Sequence, residues 1–343
     1  MIYFLSKNYK NKNNAGNKAK TDIEKIMSKL NYKSAGLQQT SYENCLLSFV
    51  LTFIGVLKSF LTLSKGDILV LQYPLKKYYT LVCKGAHLKG AKVVTQIHDL
   101  GSFRRKKLTI KAEIARLNHS DSIISHNKQM SKWLKMKGCK AELFELEIFD
   151  YLSNTLATRS SRVKEGTPYE ILYAGALNPK KNGFLYALGN IKRNYNFNLY
   201  GNGFNSSLVK EKKSFNYRGF VPSDTLITKA KGDFGLVWDG PSLTVCEGDF
   251  GTYLQYNNPH KTSLYIRCEL PVIIWDKAAL ADFVKENNIG ICISSLNDLD
   301  EILKDLSIED YAEMKANAKA ISTRLSEGYY FSKVIKEVVN KLS

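Results

Sequence analysis

Short, continuously apolar runs recur along this chain, each followed by helical spacing, and the cycle breaks once and then begins again. Runs of that kind are strands covered on both faces, which requires a parallel sheet sandwiched between helices. In the first half they occupy residues 2–6, 67–73, 91–97, 122–125 and 141–146. Helices are predicted over 21–30, 78–89 and 128–137, and the capping-box spacing of Thr21 and Glu24 sets the first helix start at Thr21. From 151 to 168, Ser, Thr, Asn and Arg replace the apolar periodicity, the mark of a linker. Strands then resume at 170–174, 197–200, 215–218, 234–238, 271–274 and 290–293, with helices beginning near Asn182, Ser223, His260, Ala279 and Leu296. The expected fold is α/β, with two Rossmann-like domains facing across a cleft. Residues 1–150 form the first domain, 151–168 the linker and 169–328 the second domain. A C-terminal helix over 329–343 is expected to cross back to the first domain.

Composition narrows the partners. A hydrophobic content of 44% over 343 residues suffices for two ordinary cores. The six cysteines stand far apart, with no Cys-x-x-Cys pair and no His at zinc spacing. They read as small apolar residues in a reducing cytoplasm. Met1 to Leu5 runs directly into a polar, Lys-rich stretch, which is not the pattern of a signal peptide. Residues 45–63 approach the length of a membrane span, but Lys58 interrupts them. A buried or surface-docked helix is the expectation there.

The net charge of +18 leaves three partner classes: nucleic acid, anionic lipid or a phosphorylated substrate. Basic clusters such as Arg104-Arg105-Lys106-Lys107 and residues 210–213 come with no recognition helix, RNA-binding signature or zinc finger. Nucleic acid is therefore not expected as a partner. Peripheral attachment to an anionic membrane surface is favoured, where each nearby Lys or Arg adds about 1 kcal/mol. The expected location is cytoplasmic and peripheral, on the inner face of the plasma membrane.

Open α/β sheets bind ligands beyond the carboxyl ends of their strands, so the strand-to-helix turns carry the chemistry. The first turn, 13–18, holds Gly16 and precedes a helix start able to receive an anion, though a plain flexible loop reads equally well. The second, 96–101, places His98 and Asp99 at a sheet edge. Asp99 is either a general base or a turn cap, and His98 either faces the cleft or packs inward. In the third, Gly175 permits a tight turn and Lys180 or Lys181 reaches outward. The fourth passes through Asp239 and a polar loop to Tyr256-Asn257-Asn258-Pro259-His260-Lys261. A helix begins near Pro259 with Asn258 as its cap, carrying His260, Lys261 and Thr262 in the first turn. Cations normally avoid a helix N-terminus, so a lysine there implies an anion bound between them, as in a diphosphate site.

The stretch 234–281, with FGLVWDG, GTYLQYNNPHKTSLYI and LPVIIWDKAALADF, resembles bacterial glycosyltransferases of the GT-B class. It is most similar to the β-1,6-galactofuranosyltransferases of polysaccharide assembly and to the streptococcal glucosyltransferases that extend sugars on serine-rich-repeat adhesins. The resemblance implies a UDP-sugar donor on the second domain, a saccharide acceptor on the first, and neither a metal nor another cofactor. It places Lys261 at the pyrophosphate, Lys181 there or at the uridine, and Gly16 over the phosphates. The donor set is completed by Asn178, Phe220, Asp239, Tyr256, Asn258, His260 and Thr262. Asp99, with His98, stands in the catalytic position.

Galactofuranose or glucose is the expected sugar, transferred with inversion in cell-surface polysaccharide or glycoprotein assembly. The charge favours a lipid-linked acceptor, and a homo-oligomer is compatible with all of this. Asp298-Leu299-Asp300 matches the Asp-x-Asp metal signature of another glycosyltransferase fold. The helical spacing of Leu296, Leu299, Ile302, Leu303 and Leu306 instead puts both aspartates in a solvated first turn. The alternatives are a nucleotide-sugar epimerase and a non-catalytic UDP-sugar-binding subunit.

Overall fold

The computed structural model describes residues 1–9, 15–75, 78–104, 108–158 and 167–343. The chain divides into two compact units: Met1–Asp150 with Gly328–Ser343, and Tyr151–Glu327. The expected turn residues Asn13 and Asn14, the cluster residues Arg105, Lys106 and Lys107, and 159–166 of the expected linker lie outside the described residues.

Unit 1 contains strands β1 (Ile2–Phe4), β2 (Lys33–Ser34), β3 (Ile68–Tyr73), β4 (Lys92–Ile97), β5 (Ser122–Ser125) and β6 (Glu142–Glu145). They form one parallel sheet in the order β2-β1-β3-β4-β5-β6. Its helices are α1 (Ala15–Lys29), α2 (Cys45–Thr62), α3 (Tyr79–Leu88), α4 (Gly101–Arg104), α5 (Ile110–Leu117) and α6 (Lys128–Met136). Every residue of β3 is buried, the apolar run Ile68–Leu71 together with Gln72 and Tyr73.

One expectation needs correction here. The first helix begins at Ala15, so Gly16 lies in its first turn and Thr21 is in its interior. Ala19, Ile23, Ile26 and Met27 are buried at helical spacing, and this inward stripe extends the helix past the capping-box signal. Glu24 does not reach back to a cap. It turns inward and accepts from Ser6 Oγ at 2.7 Å and Tyr9 Oη at 2.5 Å.

Unit 2 repeats the plan with β7 (Tyr169–Ala174), β8 (Tyr195–Tyr200), β9 (Phe215–Gly219), β10 (Phe234–Val237), β11 (Val272–Trp275) and β12 (Gly290–Ile293). The strands are parallel, in the order β12-β11-β10-β7-β8-β9. The connecting helices are α7 (Gly183–Leu188), α8 (Ser223–Lys229), α9 (Gly248–Tyr253), α10 (His260–Arg267), α11 (Ala281–Glu286), α12 (Leu299–Asp305) and α13 (Ile308–Glu327). Chain direction across the sheet reverses between β7 and β10, and in such sheets the carboxyl ends at the reversal form the ligand crevice. Residues 151–158 belong to this unit: the Arg267 guanidinium donates to the carbonyls of Ser153 at 3.1 Å and Thr155 at 3.0 Å.

The last helix, α14 (Tyr329–Leu342), returns to unit 1. Its buried face, Phe331, Val334, Ile335 and Val338, packs with α1, β5 and β6. Asp150 Oδ1 and Oδ2 accept the amides of Tyr330 and Phe331 at 3.1 and 2.7 Å, satisfying first-turn donors that the helix itself leaves open.

Candidate functional site

At the β7/β10 reversal of unit 2, three side chains converge. Tyr173 sits near the end of β7, Asp239 two residues past β10, and Lys261 in the first turn of α10. Lys261 Nζ donates to Asp239 Oδ1 at 3.0 Å and to Tyr173 Oη at 3.1 Å. Tyr173 Oη in turn donates to Asp239 Oδ1 at 3.2 Å. The ammonium also lies 4.6 Å from the centre of the Tyr173 ring, a cation–π distance. Burial first, and then the Asp239 charge, hold the Tyr173 hydroxyl well above its ordinary pKa, so it stays a neutral donor.

The position of α10 is set by packing. Tyr265 lies one turn beyond Lys261, and its hydroxyl accepts the Ala174 amide at 2.9 Å. Its ring covers Gly235 of β10, where a Cβ would come within 2.3 Å of Tyr265 Cγ. The glycine thus lets the helix rest directly on the sheet, with its N-terminus at the carboxyl end. Burial also keeps the Tyr265 hydroxyl protonated, with a pKa far above its ordinary value.

The expected cap is corrected. Pro259, not Asn258, occupies the N-cap position, in extended conformation (ψ 125°), and it offers no side-chain cap. Proline supplies the entry geometry of the helix but has no donor or acceptor in its side chain. Asn258 is buried just ahead of it. Thr262 is fully buried, and its Oγ1 meets no hydrogen-bond partner among the described residues. A second adjustment concerns Lys261. Its counter-charge in this structure is Asp239, itself a member of the expected donor set.

Among the other expected donor residues, Asn178 and Lys181 share the loop after β7. Asn178 Oδ1 accepts the Lys180 amide at 2.8 Å and its carbonyl accepts the Lys181 amide at 3.0 Å. Lys181 Nζ lies 4.9 Å over the Phe250 ring. His260 stacks on Tyr151 with ring centres 4.8 Å apart, and Tyr256 lies half-buried in the segment leading to α10. Phe220, just past β9, is 55% exposed.

Gly16, His98 and Asp99 belong to unit 1. Asp99 is half-buried two residues beyond β4. His98 is held more tightly: Nε2 lies 2.7 Å from Gln72 Oε1, and the ring stacks on Phe149 at 5.5 Å. Asp298 and Asp300 flank the start of α12, where Asp300 Oδ1 accepts the Asn194 amide at 2.8 Å. Among the described residues, no group of three His, Cys, Asp or Glu side chains is placed to hold a metal.

Sequence reading missed Tyr173 and Tyr265 as parts of the site. The signal was present: Tyr265 follows Lys261 by four residues and so shares its helix face, and Tyr173 immediately precedes the Ala174-Gly175 turn.

The chain matches two family models, the Glucosyltransferase 3-like N-terminal domain over residues 2–148 and the Glucosyltransferase 3-like C-terminal domain over residues 171–338. It is 33% identical to the β-1,6-galactofuranosyltransferase WbbI of Escherichia coli (strain K12), over 99% of each chain. It is 24% identical to glucosyltransferase 3 of Streptococcus gordonii, over 80% of this chain and 79% of that one. Among solved structures, Anabaena HepE in complex with UDP aligns with TM-score 0.62 at 13% identity, over 99% of both chains. The lipopolysaccharide outer core galactosyltransferase WaaB aligns equally well, with TM-score 0.62 at 12% identity over 99% of both. These likenesses fix the two-Rossmann GT-B fold, and the whole-length match to the family models and to WbbI decides the rest: this chain is a glycosyltransferase of the Glucosyltransferase 3-like family.

Proposed function

We propose that the chain transfers a hexosyl group, galactofuranose or glucose, from a UDP-sugar to a hydroxyl of a saccharide acceptor, with inversion and without a metal. The observation that carries this reading is the placement of Lys261, with Asp239 and Tyr173, at the first turn of α10 on the β7/β10 reversal. When UDP departs, negative charge builds on the β-phosphate. An ammonium beside first-turn N–H groups is the arrangement that neutralises it, an effect worth several kcal/mol when preorganised. Asp239 and Tyr173 hold the ammonium in one place, so little reorganisation is needed when the diphosphate arrives. The sugar choice rests on relatives: WbbI is named for galactofuranose transfer and glucosyltransferase 3 for glucose. UDP as the carrier is supported by HepE, whose structure holds it.

In this reading Asp99 takes the proton of the acceptor hydroxyl, and His98, fixed by Gln72 and Phe149, orders the turn that presents it. The experiment is a thermal-shift screen of UDP-sugars followed by transfer assays with candidate saccharide acceptors. Stabilisation by UDP-galactofuranose or UDP-glucose with product formation is expected. Stabilisation without turnover on any acceptor would favour a non-catalytic UDP-sugar binder. Conversion of the donor alone would favour an epimerase.

A further inference from the structure

Helix α2 of unit 1 is built inside out. Its inward stripe is Ser48, Thr52, Gly55, Val56 and Ser59, of which the last three are fully packed against the unit. The hydroxyls there are answered locally: Thr52 Oγ1 donates to the Ser48 carbonyl at 2.7 Å and Ser59 Oγ to the Val56 carbonyl at 2.6 Å. The small residues bring the helix backbone down onto the protein, so that a Cβ on Gly36 would lie 2.6 Å from the Gly55 carbonyl oxygen. The opposite face carries Leu46, Phe49, Phe53, Ile54, Leu57 and Leu61, which are between 41% and 84% exposed. A soluble helix turns its large apolar side chains inward and its small polar ones outward. Here the order is reversed over 18 residues, about 27 Å of helix.

Charge identifies what covers that face. Unit 1 carries 29 Lys and Arg against 12 Asp and Glu, whereas unit 2 carries 21 against 20. Nearly the whole excess of +18 therefore resides in the unit that displays the apolar helix. The helix has no acidic residue, and Glu43 precedes its Asn44 cap. Lys58 stands beside the apolar face and lines one pocket with Lys33, and Lys84 is exposed on α3, the helix that packs along α2. An apolar stripe edged by lysines on a strongly basic body is the pattern of an interfacial helix on an anionic bilayer. A second copy is a poor occupant, because a symmetric contact would bring two units of net charge +17 face to face. A span is also a poor fit, since the middle of α2 is fastened to the fold at Gly36 and its end at Gly85, where Phe60 packs.

We propose that α2 lies in the headgroup region of an anionic membrane, with Phe53 and Leu57 in the acyl boundary and Lys58 and Lys84 at the phosphates. The inference is independent of the sugar-transfer reading, and its test needs no substrate. The full chain is sedimented with vesicles of phosphatidylcholine alone and of phosphatidylcholine with phosphatidylglycerol, at low and high salt. Binding to the anionic vesicles, weakened by salt, is expected. It should fall by more than about tenfold in Phe53→Glu/Leu57→Glu, two positions 41% and 47% exposed, the Phe53 ring lying 6.4 Å from that of Tyr78. Vesicle binding unchanged by the double substitution would overturn the proposal. So would a wild-type chain that ignores vesicles, and equilibrium sedimentation that shows a dimer abolished by the same change would assign the face to a second copy. Thermal melting, measured in parallel, reports that the variant is folded.

Discussion

Lys261 Nζ lies 3.0 Å from Asp239 Oδ1, and both groups are largely withdrawn from water. The pair gives Lys261→Ala two separable consequences. Loss of a charge-assisted contact to diphosphate, worth about 1.5–3 kcal/mol, should weaken UDP binding by roughly 10- to 100-fold in calorimetry. Loss of the partner also strands Asp239, so the melting temperature should drop. Asp239→Asn separates the two effects. It keeps the shape and leaves Lys261 without its counter-charge, so UDP affinity should hold or rise. Unchanged UDP affinity in Lys261→Ala would remove that lysine from the donor site.

Gly235→Ala tests whether α10 must touch the sheet. The new methyl meets the Tyr265 ring at 2.3 Å, inside any tolerated contact, so the helix has to move. Overpacking of this kind costs typically 1–3 kcal/mol. Because the same helix carries Lys261, UDP affinity should fall together with stability. Tyr265→Phe removes only the hydrogen bond from the Ala174 amide and should cost about 1 kcal/mol with a smaller loss of affinity. Thermal melts and calorimetry on the two variants distinguish displacement of α10 from simple destabilisation.

The sheets were readable because strands buried on both faces are largely apolar, as the runs 68–71 and 272–275 are. The start of α1 was misread for a physical reason. Thr21 and Glu24 have the spacing of a capping box, but Glu24 finds stronger partners in Ser6 and Tyr9, which are remote in sequence. Lys261 was legible because a lysine in a first turn opposes the helix dipole. Its partner Asp239 stood in the same motif-rich stretch, but 22 residues of separation gave no hint of the ion pair. The inward polar stripe of α2 was equally hidden, since apolar content alone does not say which face meets the protein.

Burial pushes the Glu24 carboxyl up to about 7, and the hydroxyls of Tyr9 and Ser6 only partly offset this. The folded value thus lies above the ordinary carboxylate value of about 4.3. The stabilisation is fully present below pH ~4 and is lost as pH rises through 7, because the unfolded chain gives up its proton first. Wild-type protein should therefore melt at a lower temperature at pH 8 than at pH 5, relative to Glu24→Gln, which stays neutral throughout. The difference between the two proteins should amount to no more than roughly 2–3 kcal/mol over that interval. Parallel pH profiles for the two proteins would show that Glu24 does not titrate in this window.

In the proposed reaction, Asp99→Asn bears on the chemical step alone. The residue sits half-buried beyond the carboxyl end of β4, in unit 1, whereas the Lys261 cluster lies in unit 2. A base that takes the acceptor proton contributes typically 10²–10⁴-fold to the rate, so kcat should fall by that factor. UDP affinity should stay within about twofold, since no donor contact is altered. The effect should fall on kcat and leave the KM for the donor unchanged, a split that a purely structural role for Asp99 would not produce. His98→Gln, which keeps a polar group near Gln72 but removes the ring stacked on Phe149, should lower kcat less. Normal turnover in Asp99→Asn would transfer the role of base to another residue of the chain.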